Sequence, residues 1–132
     1  MLKYILDTNI VIYTLKNRPE KVRAAFNQHE GEMCLSSISL GELIYGAERS
    51  AQVERNLSVI EGLAARLSIE SFDARAAMHF GQLRAELARS GMLIGPYDMM
   101  IAGHARALGL ILVTNNQREF DRVPGLRVEN WA

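Results

Sequence analysis

A single cysteine, Cys34, stands among the 132 residues. No internal disulfide can form, and the composition fits a reducing compartment, so a cytoplasmic location is expected. Only three histidines accompany that thiol, so a zinc site of the usual Cys/His kind is not expected. Net charge is missing as well: 15 Lys and Arg balance 15 Asp and Glu. Tight, unselective nucleic-acid binders carry excess positive charge, and zero net charge argues against that class. No apolar run reaches the roughly 18–20 residues that span a bilayer, so no membrane contact is expected. The opening Met1-Leu2-Lys3-Tyr4 lacks the basic region and small-residue cleavage site of a secretory signal. No repeat, low-complexity tract or linker breaks the chain, which suits a single domain over residues 1–132.

What is present is ordinary in amount and informative in order. Hydrophobic residues make up 48% and charged residues 23%, as in a soluble globular domain. Residues 1–30 hold five basic against three acidic side chains, residues 31–79 four against seven, and residues 80–132 six against five. A basic surface beside an acidic pocket is compatible with that distribution.

Residues 2–6 read as a buried strand, and 9–16 as a short helix with Asn17 near its end. Pro19 suits the first turn of a second helix reaching about His29. Met33 to Ser36 reads as a second strand. Ser39 then reads as the N-cap of a helix to about Arg49, with Leu40, Leu43, Ile44 and Ala47 on one face. A helix over 53–65 and a short strand over 67–71 follow. Asp73 can cap a long helix over 74–89, stopped by Gly91. Another helix runs from near Tyr97 to Leu108, with Gly109 as its stop. "LILVT", residues 110–114, is rich in branched side chains and nearly free of alternation, as a strand covered on both faces should be. Residues 115–120 read as a loop or short helix, and 126–128 as an edge strand. Strands separated by helices imply an α/β domain with a mainly parallel sheet. Sites in such sheets form outside the carboxyl ends of the strands.

Asp7 follows the first strand, Glu42 lies on the helix after the second, and Asp98 opens the helix before "LILVT". If these elements are neighbours, three carboxylates meet at one edge. Clustered carboxylates repel and raise each other's pKa unless a proton or cation intervenes. Mg²⁺ and Mn²⁺ prefer such oxygen donors. Each acid also has a plainer reading. Asp7 can cap a helix, Ser39-x-x-Glu42 matches a capping box, and Asp98 suits a helix macrodipole. His104 and His79 read as packed helix residues, His29 as a surface residue and Cys34 as an inert core thiol. Tyr97, Met92, Met99 and Met100 read as core packing rather than a partner surface, and Arg84 and Arg89 as a solvated helix face.

Taken together, "LDTN", "ELIYGA", "GPYDMMIAGHA" and "VTNNQREFDRVPGL" in this order resemble the PIN domain, and more closely the VapC-type toxins of toxin–antitoxin modules. The resemblance spans Leu2 to Trp131. It implies a three-layer α/β/α domain with a mainly parallel central sheet flanked by helices. It implies a metal-dependent endoribonuclease with Asp7, Glu42 and Asp98 as catalytic acids and metal ligands, holding Mg²⁺ or, in its place, Mn²⁺. The implied substrate is transfer RNA cut in the anticodon region, initiator transfer RNA above all, so that translation is inhibited. Many PIN domains carry a fourth acid where this chain has Asn116, which puts a second metal in doubt; Glu119 lies three residues on. Thr8, Asn9, Thr114, Asn116 and Glu119 are expected around the acids. The resemblance also implies a cognate VapB-type antitoxin that can place a basic side chain in the acidic pocket. A homodimer, higher toxin–antitoxin assemblies, and operator DNA bound only through the antitoxin are implied too. The helices over 53–65 and 74–89 are candidates for the protein contacts.

Two rivals stand beside this reading. A phosphotransferase with Asp7 as nucleophile usually needs an acid two residues later, where this chain has Asn9, and a lysine late in the chain, where the last is Lys21. A non-catalytic PIN-like module that only binds RNA or protein could lose its acids without cost, yet all three are here.

Overall fold

Period-two burial in three short strands sets the architecture. In the computed structural model, which describes residues 1–16 and 20–132, Tyr4 and Leu6 pack into one core and Ile5 into another. Met33 and Leu35 join the first core and Cys34 the second, and Val113 and Leu112 divide the same way. Alternate side chains of a strand point to opposite faces, so the sheet is buried on both sides. The result is three layers, α/β/α, as expected. The expectations for Asn17 and Pro19 lie outside the described residues.

The elements run β1 (Tyr4–Leu6), α1 (Thr8–Lys16), α2 (Glu20–Gln28), β2 (Met33–Ser36), α3 (Ser37–Glu48), α4 (Val53–Ala64), β3 (Ser68–Glu70), α5 (Ala74–Arg89), α6 (Pro96–Leu108), β4 (Ile111–Val113), α7 (Gln117–Phe120) and β5 (Val128–Glu129). Strand order is β3-β2-β1-β4-β5. Every pairing is parallel, with Tyr4 opposite Met33 on one side and Ile111 on the other. The central strand β1 thus has β2 and β4 as neighbours. Its right-hand and left-hand connections diverge there, at the kind of switch point where α/β sheets place their sites. Fully burying Ile5 and Leu6 contributes about 1.5–3 kcal/mol for each side chain.

Helix starts follow local chemistry. Asp73 caps α5, its carboxylate accepting from Ala76 N at 2.9 Å. Gly95 and Pro96 open α6, where the missing proline N–H leaves no intrahelical bond unmade. Gly109, with φ of 69°, ends it in the left-handed conformation that favours glycine. α5 and α6 pack closely because of Gly103. A Cβ there would stand 2.7 Å from Phe80 N and 2.9 Å from Phe80 Cα, so any side chain would push the helices apart.

One expected cap is corrected. Ser36, not Ser39, caps α3, with Oγ accepting from Ile38 N at 3.1 Å. Ser36, Ser37 and Ser39 all offer a cap, and the pairing of Ser36 with Glu70 ends β2 there, so the helix begins three residues earlier than its hydrophobic pattern suggests. Ser39 is buried within α3, and its hydroxyl has no hydrogen-bond partner among the described residues. The assignment of Tyr97 and Met92 to the core is likewise corrected: both are exposed, while Met99 is buried. Among the described residues no helix is long and apolar enough to cross a membrane.

Candidate active site

The carboxyl ends of β1 and β4 lie side by side, and Asp7 N extends their pairing by donating to Val113 O at 2.9 Å. Asp7 is therefore carried into the protein as the residue following a buried strand, and it is only 3% exposed. A charge placed there needs donors. Thr8 N gives Oδ1 a hydrogen bond of 2.8 Å, and Thr114 Oγ1 gives Oδ2 another of 2.8 Å. Asp7 does take the first amide of α1, so the helix-cap reading holds in part. Its second donor, however, comes from 107 residues away.

The same threonine that bonds Asp7 reaches the second acid. Thr8 Oγ1 donates to Glu42 Oε1 at 2.7 Å. Glu42 is thus tied to the start of α1 and not to Ser39, and the capping box does not form. On the other flank, Asn116 N donates to Thr114 Oγ1 at 2.9 Å, and Asn116 Nδ2 donates to Glu119 Oε2 at 3.0 Å. One hydrogen-bonded path therefore runs Glu119, Asn116, Thr114, Asp7, Thr8, Glu42. Asn9, also expected in this group, is exposed and makes no side-chain hydrogen bond to these acids among the described residues.

Asp98 stands apart from that path but not from its charge. It lies in the first turn of α6. Burial pushes its carboxyl up to about 6, with the negative charges of Asp7, Glu119 and Glu42 adding to the shift. Asp7 is raised too, first by burial, against the lowering effect of its Thr114 and Thr8 hydrogen bonds. Asp98 has no hydrogen-bond or ion-pair partner among the described residues. Four carboxylates therefore share one electrostatic neighbourhood with no ion pair to a Lys or Arg among the described residues.

This donor set is all oxygen, partly buried and over-charged, which fits a hard divalent cation. Among the described residues no three acids, histidines or cysteines stand close enough to form a ready-made cage. The fit therefore lies in donor chemistry and surplus charge rather than in a closed coordination shell. The histidines are occupied elsewhere. His104 is buried and shares a hydrogen bond of 2.8 Å with Ser36 Oγ, His79 accepts from Arg106 Nε, and His29 stacks on Trp131. Cys34 is buried, and burial pushes its thiol up to about 12, as an inert core residue should behave.

Two contacts near the site have no local signal in the sequence. Asn115 Nδ2 donates to Tyr13 OH at 2.8 Å, tying the end of β4 to α1. The Ser36 and His104 pair joins the N-cap of α3, which carries Glu42, to α6, which carries Asp98. Both join residues far apart in the chain, so no spacing rule could reveal them.

The family model for the PIN domain matches residues 4–126. A Shigella flexneri protein named tRNA(fMet)-specific endonuclease VapC is 61% identical over 132 residues, covering the whole of both chains. The fold superposes on a chain of the DNA-bound VapBC from Salmonella typhimurium with a TM-score of 0.96, at 58% identity and full coverage of both chains. It superposes on a chain of VapBC2 from Rickettsia felis, bound to a promoter DNA fragment, with a TM-score of 0.93 at 38% identity, covering 99% of this chain and 100% of that one.

Proposed function

The chain belongs to the PIN-domain family, and from that premise we propose that it is the endoribonuclease toxin of a toxin–antitoxin pair. It cleaves transfer RNA, as the name of the Shigella flexneri relative states for that protein. The finer reading is initiator transfer RNA cut in the anticodon region, which stops translation. The observation that carries this reading is the carboxylate group itself: Asp98 is raised to about 6 beside Asp7, Glu119 and Glu42. A binding module has no use for that cost.

PIN-domain ribonucleases use a divalent metal ion, and Mg²⁺ is the ion we assign, with Mn²⁺ as a substitute. Asp7, Glu42 and Asp98 would hold it. When bound, it supplies Lewis acidity, lowering the pKa of water and offsetting charge that grows on the scissile phosphate. The chain's own residues do the rest. Thr114 and Thr8 fix both oxygens of Asp7, and outer partners of this kind orient a ligand. Thr8 also holds Glu42 by Oε1. That leaves Oε2 without a partner among the described residues, available to take a proton from attacking water. In-line attack leaves a 5′-phosphate and a 3′-hydroxyl. With all three histidines engaged elsewhere, the site has no imidazole pair for attack by the RNA 2′-hydroxyl.

The partner is a VapB-type antitoxin, consistent with the VapBC complexes that share the fold. A groove of about 530 Å³ supports this. Ile12, Leu15, Leu43, Val59 and Ile60 line it, and it reaches Glu42. An apolar segment seated there can deliver a basic side chain to the acids. A homodimer, with DNA contacts left to the antitoxin, completes the proposal.

The test is to incubate the purified protein with total RNA and Mg²⁺, with and without EDTA, and to sequence the new 5′ ends. One discrete cut in initiator transfer RNA, bearing a 5′-phosphate and lost in EDTA, is the expected result. Cleavage that persists in excess EDTA, or a cyclic phosphate product, rules out the mechanism. No cut in any RNA leaves only a binding role.

A further inference from the structure

A cleft of about 690 Å³ between α3 and α6 has no role in the scheme above. Ser37, Ile38, Gly41, Glu42, Tyr45 and Tyr97 line it. It opens on the acids, because Glu42 belongs to both and Tyr97 directly precedes Asp98. Tyr45 is 64% exposed and Tyr97 57%. Two large aromatic side chains left in water at one cleft mark a place where something apolar and flat is received.

The charge pattern says what kind of thing. Ile38, Glu42, Tyr45 and Arg49 fall at i, i+4, i+7 and i+11, on one face of α3 and its C-cap. The Arg49 guanidinium lies 5.7 Å from the centroid of the Tyr45 ring. Moving along that face away from the acids, a carboxylate is followed by an aromatic ring and then a cation. Gly41 keeps the cleft open: a Cβ built there meets nothing within 4 Å. The volume lies within the range of sites that take small, largely buried ligands.

We propose that this cleft is a stacking site for one unpaired nucleobase next to the scissile phosphate. Tyr45 and Tyr97 are its substrate-positioning residues, and Arg49 meets an adjoining backbone phosphate. This rests on the ribonuclease reading above and adds the determinant that positions the substrate. Unpaired bases in RNA loops can be splayed out and stacked on aromatic rings and guanidinium planes, whereas paired bases cannot leave their neighbours at low cost. Stacking accepts every base, so the cleft selects unpaired structure rather than sequence. It also explains how a chain of zero net charge grips a polyanion: part of the grip is apolar, and Arg49 adds a local cation to it.

The experiment uses the full chain with an initiator transfer RNA transcript and Mg²⁺. Tyr45→Ala and Tyr97→Ala should each raise KM about 10–100-fold with kcat little changed, because a base stacked in ground and transition states contributes uniform binding. Tyr45→Phe and Tyr97→Phe should restore the parental KM. Gly41→Leu has room for its Cβ and puts bulk into the cleft, so it should reproduce the loss, with an unchanged circular dichroism spectrum showing that the fold survives. In an Asp7→Asn background, RNA carrying 2-aminopurine beside the cut should be quenched on binding, and the quench should vanish with either tyrosine.

If the parent protein cuts RNA while the alanine and leucine variants keep its KM and quench, the stacking site is refuted and the nuclease reading stands. If the parent cuts no RNA, the nuclease reading falls and takes this inference with it. If tyrosine removal instead lowers the sedimenting mass, the rings cover a second protein chain, and the nucleobase assignment is overturned.

Discussion

The two ends of the parallel sheet treat charge in opposite ways. At the amino end, where strands enter, charges are paired. Lys3 Nζ lies 3.7 Å and His29 Nδ1 3.0 Å from Glu32, and Arg66 Nε lies 3.2 Å from Glu30. The Glu32 carboxyl is held below its usual range, first by the His29 hydrogen bond and then by Lys3. At the carboxyl end, Asp7, Glu42, Asp98 and Glu119 gather with no Lys or Arg ion pair among the described residues. One end neutralises its charge within the chain. The other keeps a surplus that an external cation can relieve, and that surplus is what separates a working edge from a structural one.

The comparison can be broken at several points. The largest effect is expected at Asp7. Asp7→Asn keeps the shape and both threonine contacts' reach but removes the charge, and RNA cleavage should fall about a thousandfold or more. An unchanged circular dichroism spectrum would show that the fold survives, and parental activity would exclude Asp7 from the chemistry. Next comes the support of that carboxylate. Thr114→Val removes the 2.8 Å donor to Asp7 Oδ2, and Mg²⁺ affinity or activity should drop about 10–100-fold. Thr114→Ser should recover most of it, and equal loss in both variants would point to packing instead.

A third effect is a gain in stability. The Asp98 carboxyl is raised from an ordinary 3.8 to about 6, so the fold disfavours its charged form. Below about pH 3 folded and unfolded chains both carry the proton, and nothing is lost. As pH rises through that window the unfolded chain ionises first, and stability falls. Asp98→Asn removes the penalty. Without divalent ions at pH 7 it should be more stable than the parent by about 1–2 kcal/mol after solvent screening is allowed for. The gain should shrink on adding Mg²⁺, because the proposed ion would stabilise the parent's folded site more than the variant's, and should disappear near pH 3. Urea titrations at the two pH values decide it. The smallest effect belongs to the amino end. Arg66→Met, which loses the Glu30 pair and the cation–π contact over Phe26, should cost about 1 kcal/mol or less and leave cleavage untouched.

Much of the edge was legible because strands and acids adjoin in the chain. Asp7 follows its strand directly, and "LILVT" brings Thr114 and Asn116 to the same side. Glu119 lies three residues beyond Asn116, so spacing placed it near the acids, while its hydrogen bond from Asn116 appears only in the structure. The start of α3 was not legible: Ser36, Ser37 and Ser39 compete for the cap, and only the register of β2 against β3 decides among them. Glu42 then looked like the far half of a capping box, when its partner is Thr8, 34 residues away. Tyr97 looked like core because its neighbours are apolar, and Tyr45 gave no sign until α3 and α6 came together. Hydrogen bonds and clefts between distant elements have no period, so a pattern read along the chain passes over them.

The two side-chain and backbone donors that hold Asp7 come from residues 8 and 114. A chain still emerging from the ribosome has the first long before the second. Until β4 slots in beside β1, the first acid lacks half of its support, and no shorter fragment can supply it. Long-range closure of this kind is slow relative to local helix formation. Under the toxin reading proposed above, this order of assembly is protective: a copy that stops before β4 lacks the Thr114 donor to its first acid.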